Sequence, residues 1–163
     1  MKLNLKEVFD IPGESLDFSY EMPMADYELF GVHPFTAPVK IEGRAFNEAG
    51  IPRLVYTAAF VLEVPCDRCL EPFSKEYRLS FDEILTLKES EEQEEYIPAP
   101  NGELDMDELC ISDILLSLPT KQLCREDCKG LCPTCGVNLN RFVCNCSKSE
   151  VDPRLSALGK LLQ

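Results

Sequence analysis

The chain is short of the residues and runs that several function classes require. It has one histidine, His33, in 163 residues. Hydrolytic zinc sites commonly use histidine, alone or with carboxylate, and keep a coordination position open for water. No HExxH occurs, and no H-x-E accompanies a cysteine knuckle. P-loop, G-x-S-x-G and glycine-rich dinucleotide motifs are also missing. His33, in Gly31-Val32-His33-Pro34, reads as a loop residue. No apolar run reaches the roughly 18 residues of a membrane helix. The opening MKLNLKEVFD lacks the apolar block and cleavage site of a signal peptide. These absences predict a cytoplasmic protein that is neither membrane-bound nor an enzyme.

Positive charge is also scarce. Lys and Arg number 16 against 29 Asp and Glu, a formal charge of −13. The imbalance lies in residues 1–120, with 9 bases and 25 acids, whereas residues 121–163 have 7 and 4. An acidic body repels phosphate backbones and attracts basic partners. The bases of the tail suggest a nucleic-acid footprint at first sight. Six tail thiolates would offset them, so Lys121, Arg125, Lys129, Arg141 and Lys148 are read instead as counter-charges to a metal–thiolate cluster.

Cysteine is what the chain has in plenty. Eight of nine fall into close groups: Cys66 and Cys69, then Cys124, Cys128, Cys132, Cys135, Cys144 and Cys146. A disulfide framework would leave one over and calls for an oxidising compartment. In a reducing one, such pairs are ligands for soft or borderline metals. Cys132-Pro133-Thr134-Cys135-Gly136 is a zinc-knuckle turn: two intervening residues let both sulfurs face one ion, and the glycine permits a positive φ that turns N–H groups toward them. Cys144 and Cys146 close a four-thiolate site. In the simplest partition Cys66, Cys69, Cys124 and Cys128 form a second site that fastens the tail to the body, giving two Zn²⁺ ions. Two other partitions compete. Cys124, Cys128, Cys132 and Cys135 could hold an iron–sulfur cluster, stranding both flanking pairs. Cys66 and Cys69 could be a redox dithiol, although such pairs favour helix N-termini and extended sequence flanks this one. Cys110, alone in a helical stretch, reads as a small buried hydrophobe.

The alternation of residues 14–21, 38–46 and 73–87, and the β-branched and aromatic content of 53–64, predict strands, with a turn at 47–50 and the first cysteine pair at a hairpin tip. Residues 88–103 read as a charged loop, in which Glu89, Glu91, Glu92, Glu94 and Glu95 form a solvated stretch or a docking site for a basic protein. Residues 105–118 predict a helix, with Asp105 and Glu108 forming a capping box and Pro119 ending it. Asp152-Pro153 predicts a short C-terminal helix with Leu155, Leu158 and Leu162 on one face. The expected fold is therefore α+β: an antiparallel sheet or half-barrel body with one packed helix over residues 1–122, and a zinc-binding tail over 123–163.

Several stretches together resemble one family. They are Val64-Pro65-Cys66-Asp67-Arg68-Cys69-Leu70-Glu71-Pro72-Phe73, Glu103-Leu104-Asp105, Leu118-Pro119, Leu123-Cys124 through Cys135-Gly136, Asn138-Leu139-Asn140, and Asp152-Pro153-Arg154. Together they are similar to the bacterial YceD family, the large ribosomal RNA subunit accumulation proteins, with relatives in plant organelles. The resemblance implies a non-enzymatic role in the synthesis, processing or stability of large-subunit ribosomal RNA. Family members that lack the final knuckle keep the hairpin pair with a His/Cys version of the next pair, which implies that Cys66, Cys69, Cys124 and Cys128 act as one unit. With the acidic body, this gives an expected partner: a basic ribosomal protein or a pre-ribosomal particle, direct nucleic-acid contact being left open. One rival reading is a redox-responsive zinc chaperone or switch. The other is an RNA-modifying or nucleolytic enzyme with structural zinc, which lacks a catalytic constellation.

Overall fold

A computed structural model describes residues 1–29, 31–88 and 96–146. Elements run in the order β1 (Lys2–Asn4), α1 (Lys6–Asp10), β2 (Ser15–Met22), β3 (Val39–Glu48), β4 (Ile51–Pro65), β5 (Pro72–Thr86), β6 (Tyr96–Pro98), a 3-10 turn (Pro100–Gly102), β7 (Glu103–Asp105) and α2 (Met106–Ser117). The class is α+β. Two compact units emerge: Met1–Val64 with Phe73–Thr120, and Pro65–Pro72 with Lys121–Gln163. The hairpin tip thus groups with the tail.

In the first unit, β2 to β6 form a five-stranded sheet in sequence order, and β1 pairs with β7 in a two-stranded one. In β3 the alternation read from the sequence is what the strand buries. In β4, Leu54, Tyr56, Ala58, Phe60, Leu62 and Val64 face the interior, as do Val39, Ile41 and Ala45 of β3. Burying an aliphatic side chain of this size stabilises by about 1.5–3 kcal/mol. The turn between β3 and β4 places Ala49 at φ 54° and Gly50 at φ 92°, the left-handed pair of a two-residue hairpin. Asn47 is buried below it, donating to Val8 O at 2.8 Å and accepting from Gly50 N at 2.8 Å.

Gly43 meets Phe18 on one side and Tyr56 on the other in strand register. A Cβ there would lie 2.5 Å from Tyr56 Cβ, 2.6 Å from Phe18 Cζ and 2.7 Å from Val55 O. Gly43→Ala is therefore expected to destabilise the sheet by about 1–3 kcal/mol through overpacking, read as a lower denaturant midpoint at unchanged m-value.

Helix α2 starts where its capping acid predicts: Asp105 accepts from Asp107 N at 3.1 Å. Among the described residues no bond from Glu108 completes a capping box. Two tyrosines tie α2 to the strands, Tyr20 donating to Asp107 at 2.9 Å and Tyr56 donating to Asp113. Cys110 is fully buried on this helix. Burial, then the Asp113 and Asp107 carboxylates, push its thiol up to about 12. It lies outside both groups of clustered cysteines.

The structure departs from the sequence reading in the second half of the charged loop. Residues 96–98 are strand, and they pair with β5 in parallel, Ile84 facing Tyr96 and Thr86 facing Pro98, so the sheet is mixed. Three residues ending in proline are too short for a period to register. The N-terminal β1, α1 and the β1–β7 pairing also went unread, because the partners are separated by about a hundred residues and neither strand exceeds three. The acidic run 89–95 and the C-terminal helix from Asp152 lie outside the described residues. No helix among the described residues is long and apolar enough to cross a membrane.

Candidate metal centres

The second unit is organised around two copies of one backbone turn. At the hairpin tip, Cys66 N donates to Glu71 O at 2.9 Å and Leu70 N to Cys66 O at 2.8 Å. In the tail, Cys132 N donates to Val137 O at 2.9 Å and Gly136 N to Cys132 O at 2.9 Å. Each turn needs a left-handed residue after its second cysteine. Gly136 fills that place at φ 71° without penalty, and Leu70 fills the other at φ 59°. A side chain in that region costs about 1–2 kcal/mol. The same turn therefore forms on two unlike sequences, and the glycine made one of them easier to recognise.

The residues between the first two cysteines hold the tail. Asp67 N donates to Gln122 O at 2.8 Å, and Gln122 N donates back to Asp67 Oδ2 at 2.7 Å. Arg68 Nη1 donates to Glu126 O at 3.1 Å and Cys128 O at 2.9 Å, while Arg68 O accepts from Leu131 N at 3.1 Å. Gly130, at φ 73°, passes so close that a Cβ would lie 2.9 Å from Arg68 O.

These clamps bring together Cys66, Cys69, Cys124 and Cys128. Their sulfurs all lie within 4.8 Å of one another, as do those of Cys132, Cys135, Cys144 and Cys146. This is the two-site grouping expected above, and it divides the Cys124-to-Cys135 run between clusters. In the first, Cys66 Sγ is 3.9 Å from Cys128 Sγ, and Cys69 Sγ is 3.8 Å from Cys124 Sγ. In the second, Cys135 Sγ is 3.5 Å from Cys144 Sγ, which is 3.3 Å from Cys132 Sγ. A disulfide brings sulfurs to about 2.05 Å, so none of these pairs is bonded. Four sulfurs about 2.3 Å from a tetrahedral ion stand about 3.8 Å apart, which the first cluster matches and the second approaches from below. The clusters can each hold a metal ion.

Electrostatics point the same way. Burial opposes ionisation of Cys66, but N–H groups of Cys124, Cys69 and Arg68 outweigh it and bring the thiol down to about 6. Backbone N–H groups of Cys135 and Thr134 bring Cys132 down to about 6 as well. Against burial, Asn140 and the N–H of Gly130 lower Cys128 too. Other thiols move the other way: Cys124 is pushed up to about 12 by burial and then by the sulfurs around it, and Cys146 to about 12, first by the sulfurs of Cys144 and Cys135. Each cluster thus combines thiols that ionise readily with neighbours whose ionisation the nearby sulfurs oppose. A divalent cation at the centre removes that repulsion.

Asn140 supports the first cluster from behind its sulfurs, a role that leaves no local mark in the sequence. Its Nδ2 donates to Cys128 Sγ at 3.3 Å, and its Oδ1 accepts from Lys129 N at 2.8 Å and Arg125 Nη2 at 2.7 Å. Asn138 Oδ1 orients it, accepting from Asn140 N at 2.9 Å. Asn140→Ala should weaken metal binding at the first cluster about 10- to 100-fold, and competition with a calibrated chelator measures it. Asp67, Arg68 and Gly130 were likewise unassigned from sequence. Their roles depend on a tail that returns to the tip from more than 50 positions away.

Among the described residues, the tail's Arg125 and Arg141 have partners inside the unit. Besides the Arg68 and Arg125 contacts, Arg125 lies 3.5 Å from Asp127 and Arg141 pairs with Glu71 at 3.0 Å.

The family model that matches the chain is described as large ribosomal RNA subunit accumulation protein YceD, and it covers residues 54–162. An uncharacterized Mycobacterium tuberculosis protein is 30% identical over 102 residues, covering 60% of this chain and 49% of its own. The chain thus spans about half the length of the mycobacterial relatives. The uncharacterized protein YlbN of Bacillus subtilis is 25% identical over 167 residues, covering 100% of this chain and 97% of its own. An Arabidopsis thaliana protein called large ribosomal RNA subunit accumulation protein YCED homolog 1, chloroplastic, is 32% identical over 66 residues, covering 40% and 21%. No solved structure matches the chain. With the family model spanning well over half the sequence and all eight clustered cysteines, the chain belongs to the YceD family.

Proposed function

We propose that this protein is a non-enzymatic ribosome-biogenesis factor that supports synthesis, processing or stability of large-subunit ribosomal RNA. It acts by binding a basic ribosomal protein or an assembly intermediate. The family description and the plant relatives' names support the ribosomal role. The formal charge of −13 carries the choice of partner, because it repels a phosphate backbone and attracts bases.

Zn²⁺ is the metal proposed for both clusters, held by Cys66, Cys69, Cys124 and Cys128 and by Cys132, Cys135, Cys144 and Cys146. Four thiolates fill a tetrahedral ion's coordination, so the metal supplies a crosslink and no open position for water. The chain's own groups do the remaining work. Asp67 and Arg68 hold the tail against the tip, and N–H donors and Asn140 keep sulfurs ionised. A cytoplasmic location goes with this reading, in a compartment that keeps thiols reduced.

The test is binding of the zinc-loaded protein to purified large-subunit ribosomal proteins and to protein-free ribosomal RNA across a salt series. Binding to a basic ribosomal protein, weakening with salt, is expected. Tight RNA binding with a steep salt slope and no protein binding would overturn the proposal.

A second reading, a redox-responsive zinc chaperone or switch, draws on the exposure of Cys135 and Cys146. It requires mild peroxide to release zinc in step with a gain in client binding. Zinc that stays bound removes it.

A further inference from the structure

The second half of the charged loop builds a groove in the first unit. Its walls are β6, the 3-10 turn, β7 and the first turns of α2, enclosing about 620 Å³. Ile97, Leu104 and Leu109 line it. Leu104 is buried at 5%, and the other two pack half-buried against the core. A volume of this size lies within the range of roughly 300–1,000 Å³ typical of ligand pockets.

The walls are fixed before any partner arrives. Ala99 N donates to Thr86 O at 2.7 Å, Gly102 N to Ala99 O at 3.0 Å, and Leu5 N to Gly102 O at 2.6 Å. Gly102 sits at φ 72°, where a Cβ would lie 2.8 Å from Lys6 Cγ. A docking segment therefore meets a preformed surface and loses little to ordering it.

The rim is acidic. Glu103, Asp105 and Glu108 line it against Lys2. Asp105 is occupied as the α2 cap. Glu103 and Glu108 are exposed, and neither has a salt-bridge partner among the described residues. An apolar floor with uncompensated carboxylates on its edge is complementary to one kind of occupant. The geometry points to a docking groove for a basic protein segment that carries an apolar side chain. The apolar side chain fills the floor between Ile97 and Leu109, and flanking lysines or arginines reach Glu103 and Glu108. Nucleic acid is the wrong occupant, since its phosphates would face the same carboxylates. This deepens the basic-partner reading and rests on it.

The experiment uses the full zinc-loaded chain and a fluorescent lysine-rich peptide with a central leucine. Its companion carries serine in place of the leucine. Anisotropy titrations compare wild type, Glu103→Lys/Glu108→Lys, and a charge-matched control, Asp26→Lys/Glu28→Lys, whose residues are exposed and outside the groove. All four substituted positions are on the surface, so melting temperatures should stay put. The groove predicts at least about tenfold weaker binding for the groove variant and for the serine peptide, with the control like wild type. Equal losses in both charge variants, equal affinity for both peptides, or no binding by wild type would each overturn it. The same proteins are then tested against large-subunit ribosomal proteins. Binding that survives Glu103→Lys/Glu108→Lys overturns the groove and leaves the basic-partner reading standing. Groove-dependent peptide binding with no ribosomal-protein binding keeps the groove and overturns that reading.

Discussion

Replacing Cys66 with serine should lower bound zinc from about two per chain to about one and unfold the part of the tail that this cluster organises. Cys66 is the most constrained ligand: it is fully buried, it lies 3.9 Å from Cys128 Sγ, and it accepts from Cys124 N at 3.4 Å. A structural zinc site supplies about 10–16 kcal/mol of apparent binding energy, against a net domain stability of about 5–15 kcal/mol. Among the described residues of the second unit, the fully or nearly buried apolar side chains are the cysteines themselves, Cys66, Cys69, Cys128 and Cys132. The first unit has its own core, from Leu3 to Ile114, which includes no cysteine of either cluster. Amide hydrogen exchange should therefore show protection lost over residues 121–131 and retained over β2 to β5. Cys132→Ser should lose the other ion and leave the hairpin tip clamped. A Cys66→Ser protein that still binds two zincs, or keeps its exchange pattern, would show that this cluster is not a ligand set.

The two ions should leave at different rates. In the first cluster only Cys124 is open to solvent, Cys66 being 0%, Cys69 4% and Cys128 3% exposed, whereas in the second Cys135 and Cys146 are both open and Cys144 is half-buried. Release by a competing chelator, or oxidation by peroxide, starts with access to a sulfur. The expected time course has two phases of equal amplitude, the faster at least about tenfold quicker, a barrier difference of about 1.4 kcal/mol. Mass spectrometry of alkylated peptides assigns the phases: Cys135, Cys144 and Cys146 modified first, Cys66, Cys69 and Cys128 last. A single phase, or early modification of Cys66, would contradict the assignment. The fast phase is also where the redox-switch reading stands or falls.

What could be read from sequence was local and periodic. β2, β3 and β5 announced themselves because apolar and polar residues alternate along them, β4 by its β-branched and aromatic content, and α2 because a capping aspartate and a proline bracket an apolar face. The cysteine pairs were legible because two-residue spacing and a following glycine already encode the Cys132 turn. The Cys66 turn was harder, since Leu70 stands where glycine would have signalled a left-handed residue. Contacts made at long range left no local mark. Nothing in Asp67-Arg68 indicates that they face Gln122 and Cys128, and nothing in Asn138-Leu139-Asn140 indicates a sulfur 3.3 Å away. β6 escaped because a three-residue parallel strand has no period, and the groove escaped with it.

The central claim is that paired thiolates from the hairpin tip and the tail converge on two metal ions that hold the second unit together. Zinc-edge X-ray absorption on the reduced protein, with metal quantified per chain, tests it most directly. The account predicts about two zincs, each with a shell of four sulfurs near 2.3 Å. Metal-free protein whose residues 121–146 remain protected from exchange in chelator would contradict it.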